Sequence, residues 1–258
     1  MATTDYNGGG LDLGRVTQRT FASISQNWLV FLGSSLFLIG VPSAISALGQ
    51  GSNIITERSP LILTAIVVGG ILTLVGTYIL QGLVVFVTVN GFNGKRIGLG
   101  QALSAGLRYF FPLLGLGILM GLGLMVGFIL LVIPGIILSI MWIVAAPALV
   151  AERRGVMESF QRSRDLTRGS RWMIFAIVVV YTLVAWLLSM AVAGVMLASS
   201  GSLTPTAGAT PSIAVVIVTP IVNVVTAILS SAGIAAIYYE LRTVKEGVAP
   251  EALASVFD

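Results

Sequence analysis

The sequence predicts an all-α integral membrane protein with six transmembrane helices arranged as three hairpins. Of the 258 residues, 56% are hydrophobic and only 9% are charged, whereas a soluble domain carries about 25% charged residues. The mean hydropathy is +1.00. The chain therefore lacks the polar surface that a soluble fold needs, and its long apolar segments favour helices that cross a bilayer.

Apolar segments of sufficient length occur six times, because a spanning helix needs roughly 20 predominantly apolar residues. We predict spans at residues 28–48, 61–89, 111–132, 134–150, 172–198 and 212–239. The third and fourth spans share one apolar stretch that is too long for a single crossing. Ile133, Pro134 and Gly135 predict a tight hairpin turn within it, since proline can begin a helix and glycine tolerates a turn.

The predicted membrane domain covers residues 11–242, with a disordered segment at 1–10 and a cytoplasmic tail at 243–258. Six spans place the N-terminal segment, residues 90–110, residues 151–171 and the tail on one side of the membrane. All 14 lysines and arginines except Arg58 lie in these four segments, counting Arg242 with the tail. Cytoplasmic loops are enriched in positive charge, so both termini are predicted to be cytoplasmic.

A short segment with helical amphipathic spacing precedes each predicted hairpin. These segments begin near Leu13, Leu99 and Val156, and each places apolar residues on one face and charged residues on the other. Such helices normally lie in the membrane interface; the alternative is an ordinary connector packed against the bundle. In the third segment, Glu158 and Arg162 have the spacing of an ion pair on one helix face, and Gly169 suits the end of that helix.

The third segment also carries the densest positive charge, and we expect it to contact anionic lipid headgroups. Near an anionic leaflet, each basic group contributes about 1 kcal/mol, and tryptophan is common at membrane interfaces. The candidate headgroup contacts are Arg153, Arg154, Arg162, Arg164, Arg168, Arg171 and Trp172. Charge of this kind predicts generic anchoring more readily than recognition of one specific lipid.

Small residues in the third span predict close helix packing. Gly117 and Gly121 form one pair at four-residue spacing, and Gly123 and Gly127 form another; pairs of this kind let two helix backbones approach closely. The six spans contain no ionisable side chain. A polar seam at Asn223, Thr226 and Ser230 leaves open the alternative of a channel or facilitator for a small neutral or amphiphilic solute.

The composition argues against an enzyme, because histidine and cysteine are both absent. Imidazole acids and bases, thiol nucleophiles and the usual zinc sites are therefore excluded. We expect no catalytic residue, no cofactor, no metal and no nucleic-acid partner. A less favoured reading is an enzyme acting on lipid phosphates, which would have to use Glu152, Asp165 and the neighbouring arginines.

Several motifs together resemble a bacterial family, the membrane domain of glycerophosphoryl diester phosphodiesterase. They are Pro134-Gly135 to Pro147, the run from Glu152 to Glu158, Arg162-Ser163, Leu166 to Gly169, Trp172, the opening Leu13-Gly14-Arg15 with Thr20-Phe21, and the ending Tyr238 to Arg242 with Lys245-Glu246-Gly247. The resemblance implies the membrane module alone. In that family catalysis belongs to a separate soluble domain with essential histidines, so no phosphodiesterase residue is carried over to this chain.

These observations predict a non-enzymatic multi-pass protein of the bacterial inner membrane. The expected partners are membrane lipids, with another integral membrane protein or a second copy of the chain as further candidates. The expected role is that of an accessory or membrane-homeostasis factor.

Overall fold

The computed structural model describes residues 11–50, 60–200 and 213–247, and within these ranges the chain contains helices and no strand. The predicted disordered segment and most of the predicted tail lie outside the described residues. The helices are α1 (Leu13–Gln26), α2 (Trp28–Ser35), α3 (Val41–Gln50), α4 (Pro60–Phe92), α5 (Leu99–Leu130), α6 (Val132–Trp142), α7 (Ala145–Glu152), α8 (Val156–Thr167), α9 (Arg171–Ser200) and α10 (Ile213–Glu246). A π-helical turn at Leu36–Gly40 joins α2 to α3.

Six stretches of the described chain are long and apolar enough to cross a membrane. They are Trp28–Ala47, Pro60–Phe92, Leu99–Leu130, Val132–Glu152, Arg171–Ala191 and Ile217–Glu246. In an apolar 18-residue segment of each stretch, only 11% to 44% of the residues are buried inside the protein. Most of the apolar surface therefore faces outward. Apolar surface of this extent requires a covering of lipid or protein. The predicted all-α, six-span membrane protein is therefore confirmed.

The hairpin predicted between the third and fourth spans is present. Helix α5 ends at Leu130 and α6 begins at Val132, and Leu131 between them is extended, with φ −167° and ψ 151°. The turn lies at Leu131 and not at the predicted Ile133, Pro134 and Gly135, and Pro134 falls instead in the first turn of α6, where no backbone donor is needed. Gly127 and Gly135 face each other across the turn, which allows the two helices to approach closely.

The fourth span is broken into α6 and α7. Pro147 lies in the first turn of α7 and has no N–H group to continue the helix from Ile143. The last carbonyl groups of a helix lack partners within it. The Ser163 hydroxyl of α8 donates to the Met141 carbonyl of α6 at 2.8 Å, so α8 supplies a partner at the break.

The second amphipathic segment differs from the prediction, since it is not a separate helix. Residues 99–110 form the first part of the continuous helix α5, which contains Pro112. The face that packs on α4 carries the small residues Ala102, Ala105 and Gly106. Leu107, from the predicted apolar stripe, is 55% exposed. Small side chains allow a tight helix contact, and this contact extends α5 beyond its spanning part.

Helix α10 contacts most of the other helices, and α4 packs beside it. One buried cluster lies where the C-terminal half of α10 meets α1, α7 and α8. A second cluster joins α10 and α4 to the first span. The four basic segments of the sequence therefore meet at one end of the bundle, and that end carries the candidate site.

Candidate functional site at the ionic end of the bundle

The C-terminal half of α10, together with α1, the end of α7 and α8, forms a cluster of charged side chains that we call the ionic end. Glu240 lies at its centre with a side chain only 3% exposed. The Arg15 Nε lies 2.5 Å from Glu240 Oε1, and the Arg19 Nε lies 2.9 Å from Glu240 Oε2. Two arginines of α1 therefore neutralise one buried carboxylate of α10.

Arg19 also contacts two aromatic rings. Its guanidinium lies 4.8 Å from the centre of the Tyr239 ring and 5.8 Å from that of Phe92. The quadrupole of an aromatic ring attracts a cation at this range. These contacts connect α1 to the last turn of α4 as well as to α10.

Hydroxyl groups complete the attachment of α1 to the bundle. Thr20 is fully buried, and its Oγ1 lies 2.9 Å from the hydroxyl oxygen of Tyr181 in α9. The Ser23 hydroxyl lies 2.9 Å from the Thr88 hydroxyl of α4. The Asp12 carboxylate accepts the backbone N–H of Arg15 and caps the start of the helix. Helix α1 is therefore held by polar contacts to three other helices.

Glu152, at the end of α7, forms the second ionic centre. Its carboxylate accepts hydrogen bonds from the Nε of Arg162 at 2.8 Å, the Nε of Arg154 at 2.5 Å and the hydroxyl of Tyr238 at 2.8 Å. These donors come from α8, the loop before it and α10. Glu152 therefore connects α7 to α8 and α10.

Arg162 connects the second centre to the end of α10. It pairs with Glu246 as well as with Glu152, and Glu246 in turn accepts a hydrogen bond from the Arg242 Nε at 2.9 Å. Partial burial by itself lowers the pKa of the Arg162 guanidinium. The hydrogen bonds and charges of Glu152 and Glu246 outweigh this effect and raise its pKa above the ordinary value.

The predicted ion pair between Glu158 and Arg162 is wrong. Among the described residues Glu158 forms no ion pair, and its carboxylate instead accepts the backbone N–H of Gly155 at 3.4 Å, at the start of α8. Arg162 faces α7 and α10, where two carboxylates are available. Gly169 ends the α8 segment with φ +88°, as the sequence predicts.

The structure divides the seven candidate headgroup residues into two groups. Arg154 and Arg162 are held by internal carboxylates. In the described part of the chain, Arg153, Arg164 and Arg168 are exposed and form no ion pair.

Arg171 and Trp172 begin α9, immediately after the exposed arginines. Arg171 is half-buried. Trp172 is 86% exposed, and its ring packs edge-on against Phe175. The exposed indole therefore lies close in sequence to Arg164 and Arg168, two of the arginines without an ion pair.

The four predicted packing glycines of α5 have different neighbours. At Gly117 a side chain would overlap the ring of Tyr78 in α4, and at Gly123 a β-carbon would lie 2.6 Å from the ring of Trp142. Gly127 packs against Gly135, whereas Gly121 has nothing within 4 Å. Three of the four positions therefore lie where the packing leaves little room for a larger side chain.

The predicted polar seam of α10 does not face the interior. Asn223 and Ser230 are exposed, whereas Val224 and Ile228 on the opposite side are buried in the second cluster. Thr226 is half-buried, so two of the three predicted seam residues face away from the second cluster. No group of three acidic side chains that could hold a metal ion occurs among the described residues.

Sequence reasoning did not find the partners that hold this site together. Tyr238 and Glu246 were recognised only as parts of a terminal motif, and the contacts of Glu240 with Arg15 and Arg19 join residues more than 200 positions apart. The one available signal was that Glu240 lies next to an apolar span, where an acidic residue requires a partner.

Comparison with known protein families gives a match over most of the chain. A family model described as an uncharacterised protein family (UPF0259) matches residues 50–230. The matched region includes the arginines between α7 and α9 and ends before Glu240. Neither the curated proteins nor the solved structures provide a match.

Proposed function

This chain belongs to the uncharacterised protein family UPF0259, and we propose that it binds anionic lipid headgroups at the ionic end of its bundle. In this proposal it is a non-enzymatic accessory protein of the bacterial cytoplasmic membrane. Its role is in membrane homeostasis, and both of its termini face the cytoplasm.

The observation that carries the proposal is the division of the arginines. Internal carboxylates pair with Arg154 and Arg162, while Arg153, Arg164 and Arg168 are exposed without an ion pair in the described part of the chain, and the exposed Trp172 follows Arg168 by four residues. Exposed arginines next to an interfacial tryptophan are suited to lipid phosphates, since arginine can donate two parallel hydrogen bonds to a phosphate. The internal ion pairs stabilise the ionic end, and the exposed arginines can attract anionic lipid.

The proposed orientation rests on charge and on the ionic contacts. The ion pairs of Arg15 and Arg19 with Glu240 support placing α1 and the end of α10 on the same side of the membrane. The excess of basic residues at this end favours the cytoplasmic side.

The absence of enzymatic activity is part of the proposal. Glu152 and Glu240, the most deeply buried carboxylates of the ionic end, are each neutralised by arginines, which supports a structural role for both. We also propose that the resemblance to the membrane domain of glycerophosphoryl diester phosphodiesterase extends to membrane architecture alone, without phosphodiesterase activity.

The lipids retained after extraction in a mild detergent test the proposal. We expect the full chain to retain phosphatidylglycerol in preference to phosphatidylcholine, as measured by native mass spectrometry. The variant R164Q/R168Q should lose this preference by about fivefold for each arginine removed, because each contributes about 1 kcal/mol near anionic lipid. The matched control is R154Q, which removes an arginine that already pairs with Glu152 and should therefore leave the preference unchanged.

Equal preference for phosphatidylglycerol in R164Q/R168Q and the wild-type chain would contradict the proposal. A monodisperse protein that retains neither lipid nor partner would contradict it too. If a second membrane protein copurifies with the wild-type chain but not with R164Q/R168Q, these arginines bind a protein and the proposed lipid binding is wrong.

A further inference from the structure

A cleft of about 490 Å³ lies between the start of the first span and the loop that joins α4 to α5. Asn27, Trp28 and Leu29 line one side, and Lys95, Arg96 and Ile97 line the other. The volume is within the usual range for sites that hold small molecules. This cleft is formed by elements other than the α7–α9 segment that carries the proposed arginine surface.

The loop that carries the two cations has a defined conformation. Gly94 adopts φ +74°, which ends α4 with the left-handed residue typical of a helix C-terminus. The backbone N–H groups of Asn93 and Lys95 both donate to the Asn90 carbonyl, at 3.1 and 2.9 Å. Lys95 and Arg96 therefore follow directly from a hydrogen-bonded turn.

The charge of this cleft is not balanced within the protein. Its lining contains two cations and no carboxylate, and in the described part of the chain Lys95 and Arg96 form no ion pair. The arginines of α1 and several of those at the ionic end have acidic partners. The unbalanced positive charge therefore predicts an anionic ligand.

An exposed apolar surface continues from the cleft along the first span. Leu29, Leu32 and Leu36 follow one another at helical spacing, and their exposed fractions are 64%, 46% and 54%. Trp28, at the edge of the cleft, is 54% exposed. A cleft with two cations next to an apolar strip matches the two parts of a phospholipid, and basic pockets between membrane helices are known to bind anionic headgroups.

We infer that this cleft binds the phosphate-bearing headgroup of one anionic phospholipid, whose acyl chains lie along Leu29, Leu32 and Leu36. The inference rests on the proposed function only in requiring that this end of the bundle lies at the membrane surface. The cleft is a second lipid site, formed by residues that the arginine surface does not use.

Fluorescence quenching by lipid tests the inference, because Trp28 lies at the edge of the cleft. In detergent, brominated phosphatidylglycerol should quench a saturable part of the fluorescence of the full chain, and that part should be missing in W28F. In K95Q/R96Q the apparent affinity should fall by about 25-fold, or fivefold for each charge. Lys95→Arg should retain wild-type affinity.

Unchanged affinity in K95Q/R96Q would overturn the inference, provided the variant keeps the thermal stability of the wild-type chain. Equal quenching by brominated phosphatidylcholine would also overturn it. Relief of quenching by millimolar inorganic phosphate would identify a site for free phosphate and overturn the assignment to lipid.

The variant R164Q/R168Q separates this inference from the proposed function. It should leave the Trp28 signal unchanged while it lowers the overall retention of phosphatidylglycerol. If K95Q/R96Q has no effect and R164Q/R168Q lowers retention, the inference fails and the proposed function stands. If only K95Q/R96Q has an effect, the proposed lipid binding by the exposed arginines is wrong, and the inferred lipid site in the cleft stands.

Discussion

At the scale of single residues, Glu240 and Glu152 of the ionic end are more deeply buried than the arginines that neutralise them. The Glu240 side chain is 3% exposed, while those of Arg15 and Arg19 are 41% and 31% exposed. A buried charge without a partner costs far more free energy than a partly solvated one. The two sides of this ion pair should therefore respond differently to mutation.

We predict that R15Q/R19Q is more destabilising than E240Q. The double variant leaves the buried Glu240 carboxylate without a neutralising charge, which costs about 3–5 kcal/mol. E240Q leaves two partly solvated arginines and should cost about 1–3 kcal/mol. The free energy of unfolding, from titration with sodium dodecyl sulfate in mixed micelles, measures both. R108Q serves as the control, and the reverse order of the two losses would show that Glu240 is not the buried partner.

Ser163 is the other residue whose loss should be costly, because it supplies a hydrogen bond where the fourth span breaks. It is fully buried and donates to the Met141 carbonyl. S163A should lower the free energy of unfolding by about 1–3 kcal/mol, since the partly buried Met141 carbonyl loses its closer donor and keeps only the Thr167 hydroxyl at 3.5 Å. S104A is the matched control, because Ser104 is exposed and bonds only within its own helix turn, and it should change stability by at most about 0.5 kcal/mol. Equal losses of stability in S163A and S104A would contradict the prediction, because another group would then donate to the Met141 carbonyl in S163A.

At the scale of the helices, the contact between α4 and the π-helical turn determines how the first hairpin packs. Pro42 has no N–H group, so the Leu38 carbonyl loses its donor four residues ahead. Gly76 of α4 faces this carbonyl, and a β-carbon at position 76 would overlap the carbonyl oxygen. The proline and the glycine therefore act together, although they lie in different spans.

G76A should destabilise the chain, because the added methyl group meets backbone that cannot rotate away. Overpacking of this kind costs about 1–3 kcal/mol or more. Gly70 lies in the same helix with nothing within 4 Å, so G70A should cause no loss. Thermal midpoints in detergent compare the two variants. A G76A protein as stable as G70A would contradict the close approach of α4 to the first span.

At the scale of the whole molecule, α4, α5 and α10 are longer than a membrane is thick. They contain 33, 32 and 34 residues, and at about 1.5 Å per residue each extends roughly 50 Å. The hydrocarbon core of a bilayer is only about 30 Å thick. The surplus length accounts for an ionic end outside the hydrocarbon, where ion pairs can form.

The proposed orientation can be tested with single introduced cysteines, because the chain contains no cysteine of its own. A single cysteine in place of Gln161, which is exposed on α8, should react with an impermeant maleimide only after the cells are opened. A single cysteine in place of Ser52, in the first predicted outer loop, should react in intact cells, with the unmodified chain as the blank. Labelling of both positions in intact cells would reject the proposed topology.

Local properties of the sequence determined the architecture of this protein. The length of each apolar segment, the position of Pro134 and the distribution of basic residues required no knowledge of distant contacts, and the described helices agree with the six spans predicted from them. The continuous helix α5 is the exception. Its first part was predicted as a separate helix because the spacing of Leu99 and Leu107 indicated an apolar stripe, whereas the small residues Ala102 and Gly106 form the packed face.

Only the tertiary structure decided which charges remain available for a ligand. Arg162 has Glu158 at the favoured helical spacing, yet it pairs with Glu152 and with Glu246, which lies 84 positions away. An exposed pair within one helix contributes only about 0.3–0.5 kcal/mol. Contacts brought together by the fold can therefore override it, and spacing along the chain does not reveal them.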